Sequence, residues 1–197
     1  MQLESYRIIF VTVGLIGILL FASPSIGLLV KAPAGEAFSE LYILGPEHMI
    51  ENIPFNIKAD VTYSVYLGVG NHMGSSSYYT CFVKLRNETE ALPNSTLGTP
   101  SPLPALYEYN SFIKDGETWE APLTFKVNKI SFSDGRSKLS SVIINGIEFT
   151  VNKTSAWNSD KTGYYYSLFV ELWIFNSTTG ISQFHNRSVH LSLNMTQ

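Results

Sequence analysis

From Ile8 to Val30 the chain carries no charged residue, and Arg7 and Lys31 bound the run. Those 23 residues would reach roughly 34 Å as a helix, enough to cross the hydrocarbon of a bilayer. Gly14, Gly17 and Gly27 are tolerated in such helices, and Pro24 kinks or ends one near its exit. A cleaved signal peptide is the competing reading, with Ile8–Ala22 as its apolar core and Ser23 and Ser25 beside the cut. Glu4 opposes Arg7 in front of that core, and Ile26–Val30 prolong the apolar run beyond it. Both features favour a retained anchor. On this reading residues 1–31 form an N-terminal transmembrane anchor, 32–37 a juxtamembrane linker with Pro33 and Gly35, and 38–197 an extracellular domain.

The sidedness comes from six Asn-x-Ser/Thr triplets, none with Pro in the middle, at Asn87, Asn94, Asn152, Asn176, Asn186 and Asn194. All follow the apolar run. They imply a C-terminal domain outside the cytoplasm, carrying bulky, solubilising sugar. Asn87 and Asn94, in a Pro-rich stretch, are the expected sites of occupancy. Asn194 closes a strand near the chain end and is the least expected.

Beyond the linker the polar fraction is Ser, Thr and Asn rather than charge. Charged residues are 15%, and 11 Tyr, 12 Phe and 3 Trp supply the bulk. Such a mixture packs well on pleated faces. A net charge of −3 gives no basic footprint for nucleic acid. Cys81 is the single cysteine, so no intrachain disulfide forms and the core must carry stability. Cys81 itself reads as a small buried apolar residue on a strand.

The pattern predicts strands over Phe38–Leu44, Val61–Val69, Ser77–Leu85, Leu106–Ile113, Thr118–Val127, both sides of Asn145-Gly146, Tyr164–Phe175 and Phe184–Asn194. Val61–Val69 and Ser77–Leu85, joined by a short turn, read as an antiparallel hairpin. Pro122 implies an edge position or a bulge. Asn145-Gly146 predicts a two-residue type I′ turn, and Asp115-Gly116 is a further turn signal. Asn87–Pro104, with four prolines, reads as an exposed loop, and Asn152–Gly163 as a polar one. Eight or nine strands without a helix after Val30 argue for a mainly β, Ig-like antiparallel β-sandwich.

Convergent catalytic chemistry is not visible. His48, His72, His185 and His190 are scattered, with no H-E-x-x-H or C-x-x-C spacing. Gly68-Val69-Gly70 is too short for a dinucleotide loop, and no ligand series for calcium surrounds Asp134 or Asp160. No cofactor and no catalytic residue are expected. Neighbours such as Tyr78-Tyr79 and Tyr164-Tyr165-Tyr166 must point to opposite faces of a strand; the rings turned from the core either stack on sugars or partner surfaces or, the favoured reading, are buried on both faces between sheets and loops.

One family resemblance stands out. Phe38-Ser39-Glu40-Leu41-Tyr42-Ile43-Leu44-Gly45-Pro46, directly after an apolar segment, resembles archaeal membrane proteins grouped as DUF1616. Pro54-Phe55-Asn56-Ile57, Val69-Gly70-Asn71-His72 and Gly116–Pro122 fit the same pattern, and Val189–Leu193 fits its last strand. The resemblance spans residues 33–197, with 87–110 and 134–163 reading as insertions. It implies an archaeal membrane protein but carries over no catalytic residues. The expectation is a single-pass cell-membrane protein whose glycosylated domain has a structural or binding role toward other envelope proteins or glycans. The alternative is an accessory subunit of a membrane-bound glycan-processing or glycosyl-transfer complex.

Overall fold

The computed structural model describes residues 6–18 and 36–195. The chain divides into two compact units, Met1–Ala37 and Phe38–Gln197. In the first, residues 6–18 are helical. That helix holds the opening part of the uncharged run, whose remainder, 19–30, lies outside the described residues. Among the described residues, no helix is long and apolar enough to cross a membrane.

The second unit is mainly β. Its ten strands are β1 (Phe38–Leu44), β2 (Asn56–Ile57), β3 (Thr62–His72), β4 (Ser77–Asn87), β5 (Tyr107–Ile113), β6 (Thr118–Ser133), β7 (Arg136–Ile144), β8 (Ile147–Ala156), β9 (Tyr164–Asn176) and β10 (Ile181–Met195). The sequence pattern lacked only the two-residue β2. One sheet has the order β1-β3-β6-β7-β8 and the other β2-β10-β9-β4-β5. All neighbours are antiparallel except β10 with β2. Alternate residues of both sheets meet in one apolar cluster, including Val65, Leu67 and Val69 of β3, Val83 and Leu85 of β4, and Leu168, Val170 and Leu172 of β9. The core is thus built by period-two alternation. Cys81 lies within it, and burial pushes its thiol up to about 12, which leaves it inert at neutral pH.

Three expectations need correction. First, β3 and β4 do not form a hairpin: they belong to different sheets. The chain turns a corner at Met73–Ser76, held by the buried side chain of Asn71. Its Nδ2 donates to the carbonyls of Ser75 and Ile113, and its Oδ1 accepts from Met73 N and Tyr79 Oη. A short connection excluded a parallel crossover, but it equally allows a step between sheets. Asp115-Gly116 likewise links β5 to β6 across sheets. Second, residues 152–156 continue β8, beyond a bulge opposite the Leu139–Ser141 stretch. Third, residues 88–106 are the expected exposed loop over most of their length but are anchored at one point. Ser101 within them is 4% exposed.

Pro122 is reconciled with its central strand by local geometry. There β6 pairs only with β3, because the β7 pairing begins at Phe125. Its missing N–H faces the unpaired side, where its carbonyl accepts the Tyr109 hydroxyl at 2.8 Å.

Asn145-Gly146 forms the expected turn. Ile144 pairs with Ile147, and φ is 48° at Asn145 and 82° at Gly146. Asp134-Gly135, with φ of 49° and 68°, makes a second such turn between β6 and β7 that sequence reasoning overlooked. A Cβ at Gly146 meets nothing within 4 Å, so any cost of adding one is backbone strain alone. Gly146→Val is expected to lose about 1–3 kcal/mol, and Ser95→Val, on an exposed loop, almost nothing. Denaturant unfolding of the two variants checks this, and equal midpoints would remove the turn assignment.

Candidate functional site

Three of the segments that carried the family resemblance, Phe38–Pro46, Val69–His72 and Gly116–Pro122, lie on neighbouring strands of the first sheet, whereas Pro54–Ile57 and Val189–Leu193 belong to the second. Residues of β1 alternate: Ser39 and Leu41 point inward, Glu40 and Tyr42 outward. Tyr42 lies opposite Gly68 of β3, and Glu40 opposite Gly70. Both glycines are seats. A Cβ at Gly68 would strike the Tyr42 ring, and one at Gly70 would come within 2.7 Å of the Glu40 carboxylate. The Gly-Val-Gly spacing is therefore steric, and not a nucleotide loop.

Seated there, Tyr42 donates its hydroxyl to Glu120 Oε1 at 2.8 Å, while His48 Nδ1 lies 2.9 Å from Glu120 Oε2 and its ring stacks on Tyr66. Glu40 faces His72 Nε2 at 3.7 Å, and His72 stacks on Phe38. Burial, then the hydrogen bond to Glu120, pushes the Tyr42 phenol up to about 12. The same bond from Tyr42, then that from His48, lowers the Glu120 carboxyl below its ordinary value. This array clasps the loop after β1 to β6. Among the described residues, no group of three His, Cys, Asp or Glu is placed to hold a metal. On the inner side, Ser39 Oγ bonds Tyr79 Oη at 2.6 Å and His185 Nε2 at 2.9 Å.

Gly68→Ala is expected to unseat the Tyr42 ring and cost about 1–3 kcal/mol, the range for overpacking. Adding Tyr42→Ala should recover part of that loss, because the clash is with this ring. A double-mutant cycle measures it, and strictly additive losses would refute the seat.

The outer face of the second sheet is divided. At its centre lies a buried ion pair: Lys84 Nζ is 2.9 Å from Glu171 Oε2, with side chains 7% and 0% exposed. The 88–106 segment covers it. Ser101 donates its N–H to Glu171 Oε1 at 2.6 Å and its carbonyl accepts from Lys84 at 2.9 Å, while Trp173 Nε1 donates to Glu171 Oε2 at 3.2 Å. Sequence reasoning missed this pair. The signal was present as single charges inside Ser77–Asn87 and Tyr164–Asn176, both otherwise uncharged until their ends.

At one end of that face Phe112, Tyr78 and Phe175 stand in a row across β5, β4 and β9. Tyr78 pairs with Phe112, and one step beyond the Tyr79–Ile174 pair it comes opposite Phe175. Their exposures are 68%, 40% and 43%. Trp173 lies behind them, edge-on to Phe82 and beside Phe184. Of the tyrosines weighed from sequence, Tyr78 faces outward, whereas Tyr79, Tyr164, Tyr165 and Tyr166 are buried.

The six sequon asparagines fall into different environments. Asn94, Asn152 and Asn186 are exposed, and the last two have positive φ, 47° and 55°. Asn176 is half-buried, with Oδ1 capping the N–H groups of Thr178 and Thr179. Asn87 donates Nδ2 to the Thr154 carbonyl at 2.9 Å. Asn194 is buried and donates Nδ2 to Asn56 Oδ1 at 3.0 Å. His185 and His190 sit on opposite faces of β10, the former half-buried and the latter exposed. Burial, then Arg187, lowers the His185 imidazole.

With the geometry in place, comparison supplies the family. The profile of a family described as "Domain of unknown function (DUF1616)" matches residues 32–164. The chain belongs to the DUF1616 family. The match stops at 164, so Val189–Leu193, read from sequence as the family's last strand, lies beyond it. No curated protein matches. Solved structures similar to this DUF1616 chain include the β-glucosidase from Listeria innocua in complex with isofagomine, at 10% identity and TM-score 0.39, covering 81% of this chain and 16% of that one. The same enzyme with gluconolactone gives 9% identity and TM-score 0.36, covering 80% of this chain and again 16% of the glucosidase. The PapD-like domain 7 of human CEP192 gives 8% identity and TM-score 0.33, covering 85% of this chain and 90% of that domain. At these scores the likenesses bear on neither activity nor ligand.

Proposed function

We propose that this DUF1616 protein is an archaeal, membrane-anchored and N-glycosylated surface module. Its Ig-like β-sandwich binds other envelope proteins or glycans and performs no catalysis. The row of Phe112, Tyr78 and Phe175 is the observation that carries the binding role. Three exposed rings on adjacent strands span roughly 10 Å, at about 4.8 Å per strand, and rigid aromatic rings supply contact area at small entropic cost. The rest of that face is covered by the 88–106 segment or is polar, which favours this end. The uncharged run 8–30 supports the anchor, and the exposed Asn94, Asn152 and Asn186 support an extracellular address.

The test is capture from native membranes with the full chain and with a Tyr78→Ser/Phe112→Ser variant. Recovery of surface-layer or filament subunits, or of their glycans, by the first and not the second is the expected result. Recovery of glycosyl-transfer components would support the accessory-subunit alternative, and equal recovery by both chains would remove the aromatic row from the account. Intact-peptide mass spectrometry on the native protein is expected to find sugar on Asn94, Asn152 or Asn186 and none on Asn194. Six bare sites would contradict the extracellular address. N-terminal sequencing that starts near Ile26 or Leu28 would overturn the retained anchor.

A further inference from the structure

At the other end of the same sheet face, roughly 26 Å along β4 at about 3.3 Å per residue, Arg86, Ser167 and Ser192 form another row. Arg86 pairs with Ser167 across β4 and β9, and Ser167 with Ser192 across β9 and β10. They line a cleft of about 230 Å³, which Lys161 and Tyr165 border on one side, Leu92 on another, and His190 along β10. The charges in this cleft are unevenly satisfied. Glu88 is engaged by Lys161 at 3.3 Å and by Asn158 Nδ2 at 3.2 Å. Arg86 has no carboxylate partner among the described residues. Its Nη2 donates to the Glu88 carbonyl, and its Nε is buried without an acceptor. No hydrogen bond engages the side chains of Ser167, Ser192 or His190 among the described residues.

Arg86 is half-buried at the cleft wall, and a positive charge held there without a counter-ion favours an anion beside it. One uncompensated positive charge, beside two serine hydroxyls and an imidazole that make no other hydrogen bond among the described residues, matches a ligand with a single carboxylate for Arg86 and hydroxyls for the other three. We propose that this cleft binds a small carboxylate-bearing ligand of monosaccharide size, a sugar acid, with its carboxylate on Arg86 and its hydroxyls on Ser167, Ser192 and His190. The site is separate from the aromatic row and does not depend on it.

Calorimetric titration of the full chain in detergent tests this with three probes: sodium glucuronate, glucose and inorganic phosphate. Glucuronate is expected to bind, glucose not, and phosphate more weakly. Arg86→Gln should weaken glucuronate by about tenfold or more, the loss of a charge-assisted hydrogen bond. Ser167→Ala, which leaves the Arg86–Glu88 contact intact, should weaken it by a smaller factor. Unfolding midpoints of both variants verify that they fold. Should Arg86→Gln fail to fold, Ser167→Ala against wild type carries the test. No glucuronate binding, equal binding of glucose, tighter binding of phosphate, or unchanged affinity in the variants would each overturn the proposal.

Discussion

Ending the chain at Tyr164, where the family match stops, is expected to abolish cooperative folding. The residues beyond it supply almost all of β9 and the whole of β10, and β9 is the middle strand of its sheet. Without them β4 keeps only β5 as a neighbour and β2 has no partner at all. The core loses Leu168, Val170, Leu172, Leu191, Leu193 and Met195 together. Each such side chain contributes about 1.5–3 kcal/mol on burial, and a domain is stable by only about 5–15. Urea unfolding followed by circular dichroism should show one transition for residues 1–197 and none for 1–164. A sigmoidal transition in the shorter chain would refute the single-core account.

Lys84→Met comes next in size. It leaves the Glu171 carboxylate fully buried, with the Ser101 and Trp173 N–H donors but no cation. Removing one partner of a buried pair costs about 3–5 kcal/mol, which for a domain of this size is about 6–20 °C in Tm. The double variant Lys84→Met/Glu171→Leu should recover much of that, since two apolar side chains leave no buried charge. Calorimetry on the single and double variants decides it. A Tm for Lys84→Met within about 2 °C of wild type would show the pair to be hydrated and the 88–106 segment lifted.

The strands were legible because β-rich composition and turn signals are local properties of the sequence. The sheet membership of those strands was not. Val61–Val69 and Ser77–Leu85 look like a hairpin from their spacing, and only the four bonds made by the Asn71 side chain show that the chain steps between sheets. The clasp was half legible. Tyr42 and Glu120 lay in segments that resembled the family and Gly68 just outside one, yet nothing local says that Tyr42 needs a glycine 26 positions later. Ser101 was read as part of an exposed loop because four prolines signal irregular backbone and say nothing about what that backbone covers. Only the position of Glu171, 70 residues on, turns the segment into a lid over a charge.

Two of the asparagines described above have a consequence for how such molecules coexist at high density. β8 is the last strand of its sheet, and along 181–193 β10 pairs only with β9 among the described residues. A straight strand with one side unpaired is a template on which another copy can add itself. Both strands break that template: β8 carries one extra residue beside Asn152, and β10 carries two, His185 and Asn186, between Phe184 and Arg187. The positive φ at each asparagine holds the kink in place. A sugar on either one would project from the interruption itself. The backbone defect and the modification signal thus coincide on two of the edges at which neighbouring copies could otherwise stitch into a continuous sheet.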